Sequence, residues 1–315
     1  MTAPAHPSEL VAPMDYAALA PPSLTTPVCV AAMPGARSYL NIPYATMIGW
    51  RPLLLDLHLP AGGTGPFPVV VYAHGGSFVG GIKAMGPWHD LPAHGIAVAS
   101  VGYRLSGEVH FPEPVEDIRA AVRWIRVNAG HYDLDATRVS GWGSSAGGYL
   151  ITMAGLAGDS PLGRPVGDPA AASSRLSAVI DHYGVADPTR LGQDAFDNTE
   201  AEVRAIEAIA RQFLGFDPAE EPARAAAADP LALADRVTDP PPFLILHGDD
   251  DHRVGLAQSR RLHDGLTARG HDARLVVVPG ADHAAPDFTT PERLTEAVEF
   301  LHHTWNRSRP ASRAR

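Results

Sequence analysis

The apolar positions of this chain fall into two kinds of run that take turns along its length. Short runs, mostly apolar and often β-branched, predict strands at Leu53–Leu59, Pro68–Ala73, Ile96–Val101, Arg138–Trp142, Ala178–Tyr183, Pro242–Leu246 and Ala273–Val278. Other segments repeat their apolar residues at helical spacing: Val115, Ile118, Ala121, Val122 and Ile125 within Pro114–Asn128, and Val203, Ile206, Ile209, Ala210 and Phe213 within Thr199–Leu214. An apolar helix is also expected around Tyr149–Ala154 and another from about Leu256. Strands alternating with helices in this way imply an α/β fold, a mostly parallel central sheet flanked by helices, with reactive side chains at the carboxyl ends of the strands. Leu53–Leu59 is expected to be an early antiparallel strand and Ala273–Val278 the last parallel one.

The segment from about Asp187 to Val237 separates two of these strands and is expected to form a small helical cap. Its amphipathic helix is equally consistent with plain packing. Residues 28–306 then read as one α/β domain that carries this insert. The Ala- and Pro-rich residues 1–27 are expected to be an arm, either disordered or lying over the domain, and 307–315 a frayed basic tail.

Gly143-Ser144-Ser145-Ala146-Gly147 follows one predicted strand and opens a predicted helix. A serine at the tip of such a turn needs neighbours without Cβ atoms, so that strand and helix can approach while the hydroxyl stands exposed. Ser145 has glycines at both required positions, whereas centring the pattern on Ser144 would put Trp142 and Ala146 there.

A hydroxyl nucleophile needs a base, an acid to orient that base, and N–H donors for the oxyanion. The His74-Gly75-Gly76 loop leaves a buried strand, so the donors are assigned to the backbone of Gly75, Gly76 and Ala146, with His74 shaping the loop. His283 follows the last strand and is the candidate base. Asp251, third of three consecutive aspartates after the preceding strand, is the candidate acid; Asp249 and Asp250 are read as turn caps or solvated, and Asp187 is the competing acid. His252, His271, His302 and His303 have no comparable setting.

Composition agrees with an enzyme of this kind. A chain of 315 residues, 45% of them hydrophobic, is long enough to bury a full core. Its net charge of -10 argues against nucleic acid or anionic membranes as partners. The single cysteine, Cys29, leaves no intramolecular disulfide, and no zinc-type spacing is present, so neither metal nor cofactor is expected. With no signal-like or membrane-spanning stretch found, a cytoplasmic location is expected; a homodimer is only the base-rate expectation.

These segments resemble the α/β-hydrolase-fold serine esterases and lipases, more narrowly the bacterial group with a His-Gly-Gly loop. That group is related to hormone-sensitive-lipase-like, feruloyl-esterase-like and arylformamidase-like branches. The resemblance runs through Arg51–Pro60, His74–Gly81, Tyr103-Arg104-Leu105 with Phe111-Pro112, the elbow, His247–Val254 and Gly280–His283. It departs at Ser144, where many relatives carry an acid, at Ser77, where they carry glycine or an aromatic residue, and at Gly255, where they carry proline. The resemblance implies a carboxylic-ester hydrolase that works through an acyl-enzyme on small or short-chain acyl esters. An arylformamidase-like amide hydrolase, an acyltransferase with the same triad, and a ligand-binding receptor on a hydrolase scaffold stand as alternatives.

Overall fold

The computed structural model describes residues 26–47, 51–160, 162–168 and 170–307. The expected arm and tail lie outside these residues except for Thr26, Pro27 and Arg307. Among the described residues, nine strands form one sheet: β1 (Cys29–Val30), β2 (Ala36–Ala45), β3 (Leu53–Pro60), β4 (Phe67–Ala73), β5 (Ala97–Val101), β6 (Leu134–Ser144), β7 (Val179–His182), β8 (Phe243–Gly248) and β9 (Ala273–Val278). Their order across the sheet is β1-β2-β3-β5-β4-β6-β7-β8-β9. The first three run antiparallel to their neighbours, and every pairing from β5 to β9 is parallel.

The helices are α1 (Glu113–Asn128), α2 (Ala146–Ala157), α3 (Glu200–Leu214), α4 (Pro222–Ala225), α5 (Pro230–Ala234), α6 (Ala257–Ala268) and α7 (Pro291–Arg307). Alternation along each strand decides which helices it meets. On β4, Val69 and Val71 pack with Val115, Ile118 and Val122 of α1 and with α2, while Val70 and Tyr72 face Trp88 and the layer closed by Leu301 and Trp305 of α7. A strand buried on both faces must be apolar throughout, and this is why β4 reads as a saturated run. Helix α2 is likewise buried along its whole length, and each of its large side chains, Leu150 among them, contributes about 2 kcal/mol by leaving water.

Candidate active site

The ends of β4, β6, β8 and β9 deliver the site. Ser145 sits between β6 and α2 with φ 55° and ψ −121°, a conformation that a residue with a Cβ adopts only under strain. Its N–H donates to the His182 carbonyl at 2.9 Å, which ties the turn to β7. A Cβ at Gly143 would overlap the Gly147 carbonyl, and one at Gly147 would overlap the carbonyls of Ala73 and His74. The two glycines therefore allow α2 to start directly against β4 and β6.

The Ser145 hydroxyl is 3.0 Å from His283 Nε2, and His283 Nδ1 donates to Asp251 Oδ2 at 2.7 Å. Asp251 Oδ1 accepts the backbone N–H groups of Arg253 and Val254, each at 2.8 Å. Burial alone would raise the Asp251 carboxyl, but hydrogen bonds from His247 and His283 outweigh it and hold the group well below the usual carboxylate range. Its neighbours do other work. Asp249 accepts from Gly280 N–H at 2.6 Å, and Asp187 caps a short turn through Thr189.

The Ser144 hydroxyl accepts a hydrogen bond from the Tyr72 hydroxyl at 2.9 Å. His74 stacks on Tyr103, with ring centroids 4.5 Å apart, and its Nδ1 donates to the Gly75 carbonyl at 2.8 Å. The Tyr103 hydroxyl in turn donates to the His74 carbonyl at 2.8 Å, so the loop after β4 is pinned from below. Gly75 runs against Ser145: a Cβ there would stand 3.2 Å from Ser145 Cβ. Among the described residues, the N–H groups of Gly75, Gly76 and Ala146 donate to no loop or turn carbonyl.

Ser145 and His283 open on a cleft of about 340 Å³. Larger clefts of about 560 and 420 Å³ contain none of Ser145, Asp251 and His283. Phe78, Val185, Leu191, Ala205, Ile206 and Ile209 give the cleft beside Ser145 an apolar wall, and Asn198, Glu202, His252, Arg253 and Asp282 give it a polar rim. Helix α3 has both of the uses its sequence allowed. Ala210, Phe213 and Leu214 are buried, Phe213 stacking on Phe78 with centroids 3.8 Å apart, while Ala205, Ile206 and Ile209 face the cleft.

Several residues here were given no role in the site by sequence. Ser77 and Phe78 line the cleft at φ 55° and 61°, whereas Gly75 and Gly76 are not among its lining residues. His252, read from sequence as having no special setting, stands at the rim with its ring 3.5 Å from the Asp282 carboxylate. Among the described residues, no group of three or more His, Cys, Asp or Glu side chains is placed to hold a metal ion, and no helix is long and apolar enough to cross a membrane.

Comparison with known proteins bears on the family and the fold. The BD-FAE family model matches residues 55–266, about two thirds of the chain. Esterase LipC of Mycobacterium tuberculosis is 28% identical over 87% of this chain and 67% of its own length, and esterase LipI of the same organism is 32% identical over 77% and 75%. Other curated relatives are longer, and the chain spans 42% to 48% of their length. A solved structure described as a truncated carbohydrate esterase from gut microbiota superposes with a TM-score of 0.74 at 26% identity, covering 85% of this chain and 96% of that one. The chain belongs to the BD-FAE family and is an α/β-hydrolase-fold serine esterase.

Proposed function

We propose that the protein hydrolyses esters of small acyl groups in two steps through an acyl-enzyme. The observation that supports this most directly is the pair of hydrogen bonds, 3.0 and 2.7 Å, linking Ser145 to His283 and His283 to Asp251 at the mouth of an apolar-walled cleft. His283 Nε2 takes the Ser145 proton as Oγ attacks the ester carbonyl, and Asp251 steadies the resulting imidazolium. N–H groups of Ala146 and of the loop after β4 bind the oxyanion. Gly75 and Gly76 are the donors expected from sequence, and Ser77 joins them as the loop residue on the cleft wall. The alcohol leaves with the proton from His283, after which water repeats the attack on the acyl-serine and releases the acid.

The polar rim suits an alcohol half that carries hydroxyl groups, which Asn198, Glu202 and Asp282 can bond. The likeness to a carbohydrate esterase supports the same reading. A fluorophosphonate time course tests the mechanism. Wild type should be labelled on Ser145, and Ser145→Ala should keep its melting temperature while losing about a millionfold in kcat. A folded wild-type protein that takes no label would overturn the proposal, and a panel of nitrophenyl esters and aryl formamides would separate ester from amide cleavage.

A further inference from the structure

A second histidine stands behind the catalytic carboxylate. His247, near the end of β8, is fully buried, and its ring is engaged at both nitrogens. Ser259 of α6 lies 2.6 Å from Nδ1; Nε2 lies 2.7 Å from the Val254 carbonyl and 3.2 Å from Asp251 Oδ2. A carbonyl can only accept, so the proton is on Nε2 and the Ser259 hydroxyl donates to Nδ1. The Nε2 N–H thus bonds the Val254 carbonyl and has as its second neighbour, 3.2 Å away, the same carboxylate oxygen that His283 Nδ1 holds at 2.7 Å.

We infer that His247 is a positioning residue of the Ser145 site, its N–H sharing Asp251 Oδ2 with His283. This rests on the triad reading above. Two donors on one oxygen divide its negative charge and leave the carboxylate no freedom to rotate. His283 is then oriented while its imidazolium is not held too tightly to return the proton to the leaving alcohol. The other ionisable groups in this interior are His283 itself, Asp181 on β7, whose charge interacts with His247, and Tyr183, whose hydroxyl feels Asp251. All three remain in the variants compared below, and His247→Leu and His247→Gln both remove the imidazole that Asp181 feels, so its contribution is common to that pair.

Removing the His247 donor leaves Oδ2 to His283 alone and favours the protonated ring. The acid limb of kcat/KM should move up by about half a pH unit. With one of the two groups that fix Oδ2 gone, kcat should fall about tenfold while KM stays in place. The test measures pH profiles of nitrophenyl acetate hydrolysis for wild type, His247→Leu, and His247→Gln, whose amide nitrogen can reach the Nε2 position. The Leu variant should show both effects and the Gln variant should restore both. A Leu variant that loses activity with its acid limb unmoved, or a Gln variant that falls as far as the Leu one, would overturn the inference. If His247→Leu does not fold, His247→Met carries the test: its unbranched side chain fills the same space without an N–H donor, and the limb should move the same way. An unmoved limb there also counts against the inference. Fluorophosphonate labelling of wild type keeps the two failures apart, since absence of label defeats the triad itself, whereas labelling with unmoved profiles defeats only the role of His247.

Discussion

Ser145 keeps its strained backbone because the residues on either side have no side chains to obstruct it, and the fit leaves little tolerance. An alanine at Gly147 would press on the carbonyls of Ala73 and His74, forcing α2 away from β4 and shifting the hydroxyl relative to His283. Gly147→Ala should therefore lower the melting temperature and slow fluorophosphonate labelling about 100-fold, the effect of roughly an ångström of misplacement. Labelling at the wild-type rate would show that the elbow can relax around a methyl group. Ser145, Asp251 and His283 were legible in sequence because each follows a readable strand, and the fold brings them within 3.0 Å of one another in series. Their assigned roles remain proposals. His247 was not legible: it ends a saturated strand, where burial explains it fully, and its partners Val254 and Ser259 reach it only after the chain has turned back. Ser77 was missed for a different reason, since what it can offer an oxyanion is a backbone N–H that side-chain identity does not announce.

Elements with a clean period were read nearly to their ends. Helix α3 was expected at Thr199–Leu214 and runs from Glu200 to Leu214, with Thr199 as its cap and Glu202 accepting a hydrogen bond from the Thr199 N–H at 2.7 Å. Strands β1 and β2 were not foreseen. The first has two exposed residues, and the second breaks its alternation at Asn41, which has φ 57°, and again near Pro43. Which face of α3 meets substrate was equally hidden, because Ile206 and Ile209 are as apolar as the residues that face the core. Their position predicts a handle on acyl length. Ile209→Trp should fill the apolar wall and reduce kcat/KM on a butyrate ester about tenfold more than on an acetate ester, a loss in the range of one or two methylenes denied a site. Equal losses on the two esters would place the acyl group elsewhere in the cleft.

At the scale of the whole molecule, the sheet carries a charge problem that the catalytic site does not need. Asp181, fully buried on β7, has its carboxyl pushed up to about 7 by burial, with only partial relief from the neighbouring His247 and from hydrogen bonds. Among the described residues one of its oxygens has no hydrogen-bond partner, and the other receives the Thr152 hydroxyl at a long 3.4 Å. The unfolded chain releases this proton near pH 4, as aspartate ordinarily does, so between about pH 4 and 7 the folded state binds a proton that the unfolded state has lost. Stability from this group is fully present below that range, falls through it, and is gone above. His58 and His182 act in the opposite sense: burial lowers them to about 4 and about 3, so the fold loses their contribution as pH drops below about 6.5. The two trends overlap in the wild-type curve, but comparison with Asp181→Asn cancels the histidines and isolates the aspartate. The Asn variant should be more stable than wild type at pH 8, by on the order of a few kcal/mol, and the advantage should shrink toward zero near pH 4. Thermal unfolding of both proteins across that range checks it. A difference that stays constant with pH would mean that Asp181 titrates alike in the folded and unfolded chains, and that the interior behind the elbow admits water to solvate its charge.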